Sequence, residues 1–228
     1  NIQIYSERRA FMKKLPAILF AAAAAMVMCS CGDADISSVT MEGEKIKSAS
    51  KGVKITAVTD NITKTTGNPL ISNIFCADPT AVEYEGRLYV YGTNDQQQYE
   101  AVGAEGSNTY EHIKLLVMLS TDDMVNWTYH GTIDVGEISP WAIASWAPSV
   151  VSRVEEDGKT HFYLYYSNSG WGVGVLTADS PTGPWTDPLG KSIIDGNTKG
   201  LDGCKTPFDP GVVIDDEGTG WLSFGGGE

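Results

Sequence analysis

Two aspartates occupy matching places in a repeated pattern, and a third copy of the pattern has alanine there. Ala77-Asp78-Pro79-Thr80-Ala81-Val82 opens a run ending in Leu88-Tyr89-Val90-Tyr91-Gly92. Trp146-Ala147-Pro148-Ser149-Val150-Val151 opens one ending in Phe162-Tyr163-Leu164-Tyr165-Tyr166-Ser167. Phe208-Asp209-Pro210-Gly211-Val212-Val213 opens one ending in Trp221-Leu222-Ser223-Phe224-Gly225. The residue before proline is Asp78, Ala147 and Asp209, at steps of 69 and 62 residues. Two carboxylates converging on one pocket suit general acid–base work, because proximity and burial push their pKa values apart. A lone aspartate before proline has a plainer use, capping its turn through backbone N–H groups. Recurrence in register, with Ala147 between, favours chemistry laid over a scaffold.

The scaffold follows from the sequence around these residues. Thr80–Tyr84 and Arg87–Tyr91 flank Glu85-Gly86 and read as a tight hairpin. Val150–Val154 and His161–Ser167 form a second hairpin, and Val212–Ile214 with Gly220–Phe224 a third. Lys114–Ser120 and Gly172–Ala178 are further strands. A second repeat runs through Leu119-Ser120-Thr121-Asp122 before Trp127, and Thr177-Ala178-Asp179-Ser180 before Trp185, offset by 58 residues. Each unit is thus an inner hairpin, a third strand, a turn, and a Trp opening an outer strand. No segment outside the N-terminal apolar run has a helical period. The expected class is all-β, a β-propeller of four-stranded blades. The repeats account for about two and a half blades, and a propeller closes with four or more. The sequence therefore reads as the N-terminal part of a longer, C-terminally truncated propeller.

At 42% hydrophobic and 20% charged, the chain of 228 residues can build a sizeable core. A net charge of -13 argues against a nucleic-acid partner, whose phosphates are met by clustered Lys and Arg. Met12-Lys13-Lys14 followed by an apolar, Ala-rich run to Met28 fits a signal peptide, too short for a comfortable bilayer span. Met28-Cys29-Ser30-Cys31 resembles a lipobox with Cys31 as the lipidated residue. The expected division is 1–11 upstream translated sequence, 12–30 lipoprotein signal, 31–67 tether, and 68–228 propeller. A lipid anchor at Cys31 would hold the protein on the outer membrane, the cell surface or the periplasmic face of a Gram-negative bacterium. Cys76 and Cys204, each just ahead of a repeat aspartate, read as separate buried thiols, with a disulfide as the alternative.

Trp146, Trp171 and Trp141 could stack on a ring of a bound ligand, and Asn94, Asp95, Asn168 and Ser169 follow inner hairpins where they could line a pocket. Trp127, Trp185 and Trp221 recur at repeat positions and read as structural. His112, His130 and His161 lack metal-ligand spacing. Asp215-Asp216-Glu217-Gly218 lacks the alternating oxygens of a Ca²⁺ loop and reads as a hairpin turn. No cofactor is called for, and a Ca²⁺ ion on the propeller axis stays open.

Ala77-Asp78-Pro79, Trp146-Ala147-Pro148, Asp179-Ser180-Pro181-Thr182-Gly183-Pro184-Trp185 and Phe208-Asp209-Pro210 together resemble glycoside hydrolase family 43. The resemblance covers roughly residues 68–228. It implies a five-bladed propeller that hydrolyses arabinose- or xylose-containing polysaccharides with inversion. Asp78 matches the family's general base, which activates water. Asp209 matches the aspartate that tunes the acid and orients the sugar. The general acid, a Glu of a later blade, lies beyond Asp209 and outside this sequence, so this portion alone is expected to be nearly inactive. The expected partner is a hemicellulose or arabinan chain. Two alternatives stay open: a fructan- or sucrose-cleaving five-bladed enzyme, and a non-catalytic glycan-binding propeller. Ala77 before Asp78 argues against the first, and the Asp, Ala, Asp pattern against the second.

Overall fold

The computed structural model describes residues 2–4, 35–36, 38–40, 65–66, 71, 74–201 and 203–225. The strands are β1 (Ile2–Ile4), β2 (Asp35–Ile36), β3 (Ser38–Thr40), β4 (Thr65–Thr66), β5 (Ala77–Tyr84), β6 (Arg87–Thr93), β7 (Leu115–Thr121) and β8 (Asn126–Asp134). They continue with β9 (Trp146–Val154), β10 (Thr160–Ser167), β11 (Gly172–Ala178), β12 (Ile194–Asp195), β13 (Phe208–Ile214) and β14 (Gly220–Gly225). Blade 1 is β5-β6-β7-β8, blade 2 is β9-β10-β11-β12, and β13-β14 form the inner hairpin of a third. The all-β propeller is present as two blades and a hairpin.

Turn chemistry sets the register. Glu85 and Gly86 both have positive φ, 53° and 79°, the signature of the two-residue turn whose twist matches its strands. The next two hairpins share one turn: Gly158 N–H donates to Glu155 O and Glu155 N–H to Lys159 O, and Gly218 and Asp215 repeat both bonds. Asp215 Oδ1 accepts the Glu217 and Thr219 N–H groups, and its Oδ2 accepts Trp221 Nε1 at 2.7 Å. The acidic run is therefore the hairpin turn that the sequence implied. His161, on β10 just after the matching turn of blade 2, lies between Asp157 and Asp179.

Alternate residues of each blade face opposite neighbours, as the period of two requires. On β10, Phe162, Leu164 and Tyr166 join the core shared with blade 1, where they meet Tyr91, Leu116, Met118 and Ile133. Tyr165 points the other way, into a core with Val173, Val175 and Leu222 of blade 3. Gly174 lies directly opposite Tyr166 across the β10–β11 pair. A Cβ there would come within 2.2 Å of Tyr166 Cζ, so the missing side chain is what lets the ring lie flat on β11. Gly174→Ala is expected to destabilise the protein by roughly 1–3 kcal/mol through overpacking, read as a lower urea midpoint at unchanged m-value.

The sequence and the structure part in three places. Short helices α1 (Gln96–Val102) and α2 (Val135–Ile138) occupy loops in which no helical period was legible. Seven and four residues are too few to display one. Trp185 opens no continuous outer strand in blade 2. Thr186 makes a single bridge to Thr177, and pairing resumes at Ile194–Asp195. Pro188, which has no N–H for a ladder, lies in between. Segments read as lying outside the blades pair at open edges: β1 runs parallel to β14 and β3 parallel to β8. Unpaired N–H and C=O groups on an edge strand recruit extended backbone in this way. The strand-like run Val53–Val58, the signal segment and Cys31 lie outside the described residues.

Candidate active site

The inner strands β5, β9 and β13 pack side by side, so their first residues surround one axis. In each, the ladder slips at the start. The register shifts between Ala77 and Thr80 on β5, opposite Tyr165 and Ser167 on β9, and between Phe208 and Gly211 on β13. The residue inside each slip is left-handed: Asp78 has φ 48°, Ala147 41° and Asp209 50°. A residue before proline resists helical backbone, and few residues other than glycine take positive φ. Aspartate tolerates it; alanine gains nothing from it. Ala147 therefore shows that the fold imposes this conformation and that the two aspartates exploit it. Such strain, held by the surrounding structure, gathers at functional sites.

Asp78 and Asp209 are both exposed at this end of the strands. Among the described residues no backbone N–H caps either carboxylate, which sets aside the turn-capping role. Asp209 instead meets a hydroxyl: Ser167 Oγ accepts the Asp209 N–H at 2.8 Å and donates to Asp209 Oδ1 at 3.4 Å. Partial burial raises the Asp209 pKa, the Ser167 hydroxyl lowers it, and the Asp78 charge raises it further. Asp95 is raised by burial and then by the same Asp78 charge. Burial, with Asp78 adding to it, pushes the Cys76 thiol up to about 12. Asp78, Asp95 and Asp209 thus share one electrostatic site, and Cys76 beneath it stays a protonated, inert thiol. Gly92 leaves room for that thiol, since a Cβ there would come within 2.3 Å of Cys76 Sγ.

The aromatic and amide candidates divide. Trp146, the first residue of β9, is half-buried; its Nε1 donates to Tyr110 O at 3.0 Å, and the Tyr110 ring meets it edge-on at 6.0 Å. Trp171, in the turn Ser169–Trp171, is 68% exposed. Trp141 is turned inward, its ring stacked on Tyr166 and its Nε1 donating to Asp187 Oδ2 at 2.6 Å. Asn94 is buried and accepts the Gln96 N–H at the start of α1. Asn168 is buried too; its Oδ1 accepts Ile143 N–H at 2.7 Å and Ala144 N–H at 3.3 Å, fixing the loop that delivers Trp146. The structure thus sets Asp95 and Asp209 each within the field of Asp78 and gives Asn94 and Asn168 loop-holding contacts. Cys76 and Cys204 are free thiols packed in different clusters.

Sequence reading passed over a set of hydroxyls that join the blades. Thr93 Oγ1 accepts the Ala147 N–H and Ser167 Oγ the Asp209 N–H; Thr80 Oγ1 accepts Val150 N–H and Ser149 Oγ accepts Val212 N–H. The signal was present. Thr80 and Ser149 hold the same place in the repeat, as do Thr93 and Ser167 at the ends of β6 and β10.

Residues 66–228 match the family model described as glycosyl hydrolases family 43. The chain belongs to that family. It is 46% identical over 169 residues to an arabinoxylan arabinofuranohydrolase of Bacillus subtilis, covering 70% of this chain and 33% of that protein. A Bacillus subtilis family 43 arabinoxylan arabinofuranohydrolase, solved with cellotetraose, superposes with a TM-score of 0.64 at 44% identity, over 70% of this chain and 34% of that one. An α-L-arabinofuranosidase of Clostridium thermocellum gives a TM-score of 0.55 at 43% identity, over 70% of this chain and 50% of that one. The chain therefore spans about a third of the length of the Bacillus subtilis relative.

Proposed function

We propose that the full-length protein is a glycoside hydrolase that removes α-L-arabinofuranosyl groups from arabinoxylan with inversion. The observation that carries this reading is the pair Asp78 and Asp209, held left-handed at the starts of β5 and β13 with the charge of one acting on the other, in a family 43 chain. Asp78 is exposed and uncapped among the described residues, as a base must be if it is to take a proton from water. Asp209 lies within reach of Asp78's charge, and a second carboxylate there holds a negative field over the substrate and over the acid. Inverting hydrolysis also needs an acid on the leaving oxygen, opposite the attacking water. That acid comes from a later blade. Trp146 and the exposed Trp171 offer indole faces to a sugar ring. Arabinose is favoured over xylose because the relatives at 43–46% identity are named arabinoxylan arabinofuranohydrolases, whereas those named as xylosidases or xylosidase/arabinosidases are 30–33% identical. The Met28–Cys31 pattern supports attachment to a membrane through Cys31.

The test is product analysis. Full-length protein incubated with arabinoxylan, xylo-oligosaccharides and linear arabinan should release arabinose from the first, with the inverted anomer appearing first by ¹H NMR. Xylose as the main product would replace arabinofuranosidase with xylosidase. Binding to arabinoxylan without hydrolysis would make the protein a glycan-binding propeller.

A further inference from the structure

Ser167 ends β10, fully buried, beside the start of β13. Its hydroxyl does two things at once. It accepts the Asp209 backbone N–H at 2.8 Å, which ties blade 3 to blade 2, and it donates to Asp209 Oδ1 at 3.4 Å. The neighbouring seam shows the same device without the second half. Thr93, also buried, accepts the Ala147 N–H at 2.8 Å, and Ala147 has no carboxylate to receive a proton. The seam function and the carboxylate function are therefore separable within one molecule. We propose that Ser167 is a positioning residue for the active site, orienting the Asp209 carboxylate and stabilising its charged form through the hydroxyl that also joins the blades.

The inference rests on Asp209 acting as proposed above, and its geometry is local. A left-handed residue before proline leaves its side chain few orientations, and one hydrogen bond from a rigid, buried donor is enough to select among them. A hydroxyl donor stabilises a carboxylate more than a carboxylic acid, so it favours the charged form of Asp209 and offsets part of the effect of burial. The other charge acting on Asp209 is Asp78, on β5. The charged groups of β9 and β10 lie at the far, hairpin end of those strands: Arg153 is paired with Glu155, and His161 with Asp157 and Asp179. β11, β14 and the turn Ser169–Trp171 carry no ionisable side chain.

The experiment compares Ser167→Ala, Ser167→Thr and Ser149→Ala in the full-length protein. Ser149 is the control, because it accepts the Val212 N–H at the same seam and, among the described residues, bonds no carboxylate. Thr is the conservative variant, because the blade 1 seam already uses Thr93 in this role. Carboxyl ¹³C titration of Asp209 reads the charge directly, without activity. Ser167→Ala should move the Asp209 titration and the acid limb of kcat/KM to higher pH, and lower kcat/KM at neutral pH roughly fivefold, as loss of one such bond implies. Ser167→Thr should restore both. Ser149→Ala should lower the melting temperature and move neither. An Asp209 titration unchanged in Ser167→Ala, or moved equally by Ser149→Ala, overturns the proposal. A moved titration in a protein without glycosidase activity would uphold the hydroxyl's effect and remove the hydrolase reading instead.

Discussion

Asp78→Asn in the full-length protein is expected to lower kcat/KM on arabinoxylan by roughly 10²–10⁴-fold, the range for loss of a positioned general base. The fall should appear in kcat, with KM little changed, because the amide keeps the shape of the carboxylate. Asn is the right replacement for a second reason: it is at ease at positive φ, so the slip at the start of β5 survives the change. Asp95 supplies the internal comparison. It lies within the field of Asp78 and its carboxyl is raised by burial, so it is the other carboxylate here that could take a proton from water. If Asp78 is the base, Asp95→Asn has the smaller effect. A full loss in Asp95→Asn beside a near-active Asp78→Asn would reassign the base. Loss in both alike would point to a shared field in place of a single proton acceptor. The variants should be checked by circular dichroism, because Asp78 begins the strand that packs against β9.

The scaffold was legible because it repeats. Hairpin turns such as Glu85-Gly86 are local, and their residues dictate their geometry, so inner strands could be placed from sequence. The two aspartates were legible for the same reason, each being a departure from a pattern that Ala147 completes. What stayed hidden was non-local. The hydroxyls of Thr80, Thr93, Ser149 and Ser167 mean nothing until one blade is laid against the next, since each accepts an N–H 42 to 70 residues away. Asn168 looks like a pocket residue by position, and only the fold reveals that its oxygen is taken by the loop before Trp146. Trp141 precedes Trp146 by five residues and lies inside the turn 139–142, where it faces Asp187 and Tyr166, whereas Trp146 begins β9. The outer strand of blade 2 is shorter than the repeat implies, because a matching Trp says where a strand can begin and not whether the following Pro188 lets it continue.

Asp209→Asn is expected to impair catalysis and stabilise the fold, and the combination distinguishes a working carboxylate from a structural one. The catalytic loss should be roughly 10²-fold, as for removal of one preorganised charge or donor from a transition-state site. The stability gain follows from linkage. The folded state raises the Asp209 pKa above its ordinary 3.8, through partial burial and then the Asp78 charge, despite the Ser167 hydroxyl. Well below 3.8 the group is protonated folded or unfolded, and it contributes nothing to the pH dependence. As pH rises past that value the unfolded chain ionises first, so the folded state loses stability until its own, higher pKa is passed. Above that the deficit is constant. Asn cannot ionise, so the variant's advantage should be absent at about pH 3, grow through the mildly acidic range and hold level at neutral pH. Because Asp209 is exposed, water and salt screen much of the effect, and the gain should shrink in high salt. Urea unfolding of both proteins across pH reads this directly. A variant destabilised at neutral pH would mean that Asp209 serves the seam to Ser167 more than it serves chemistry. The site is built the opposite way: the backbone N–H of Asp209 holds the seam, and that bond survives the substitution. The carboxylate is then left free to carry charge that the fold alone does not favour.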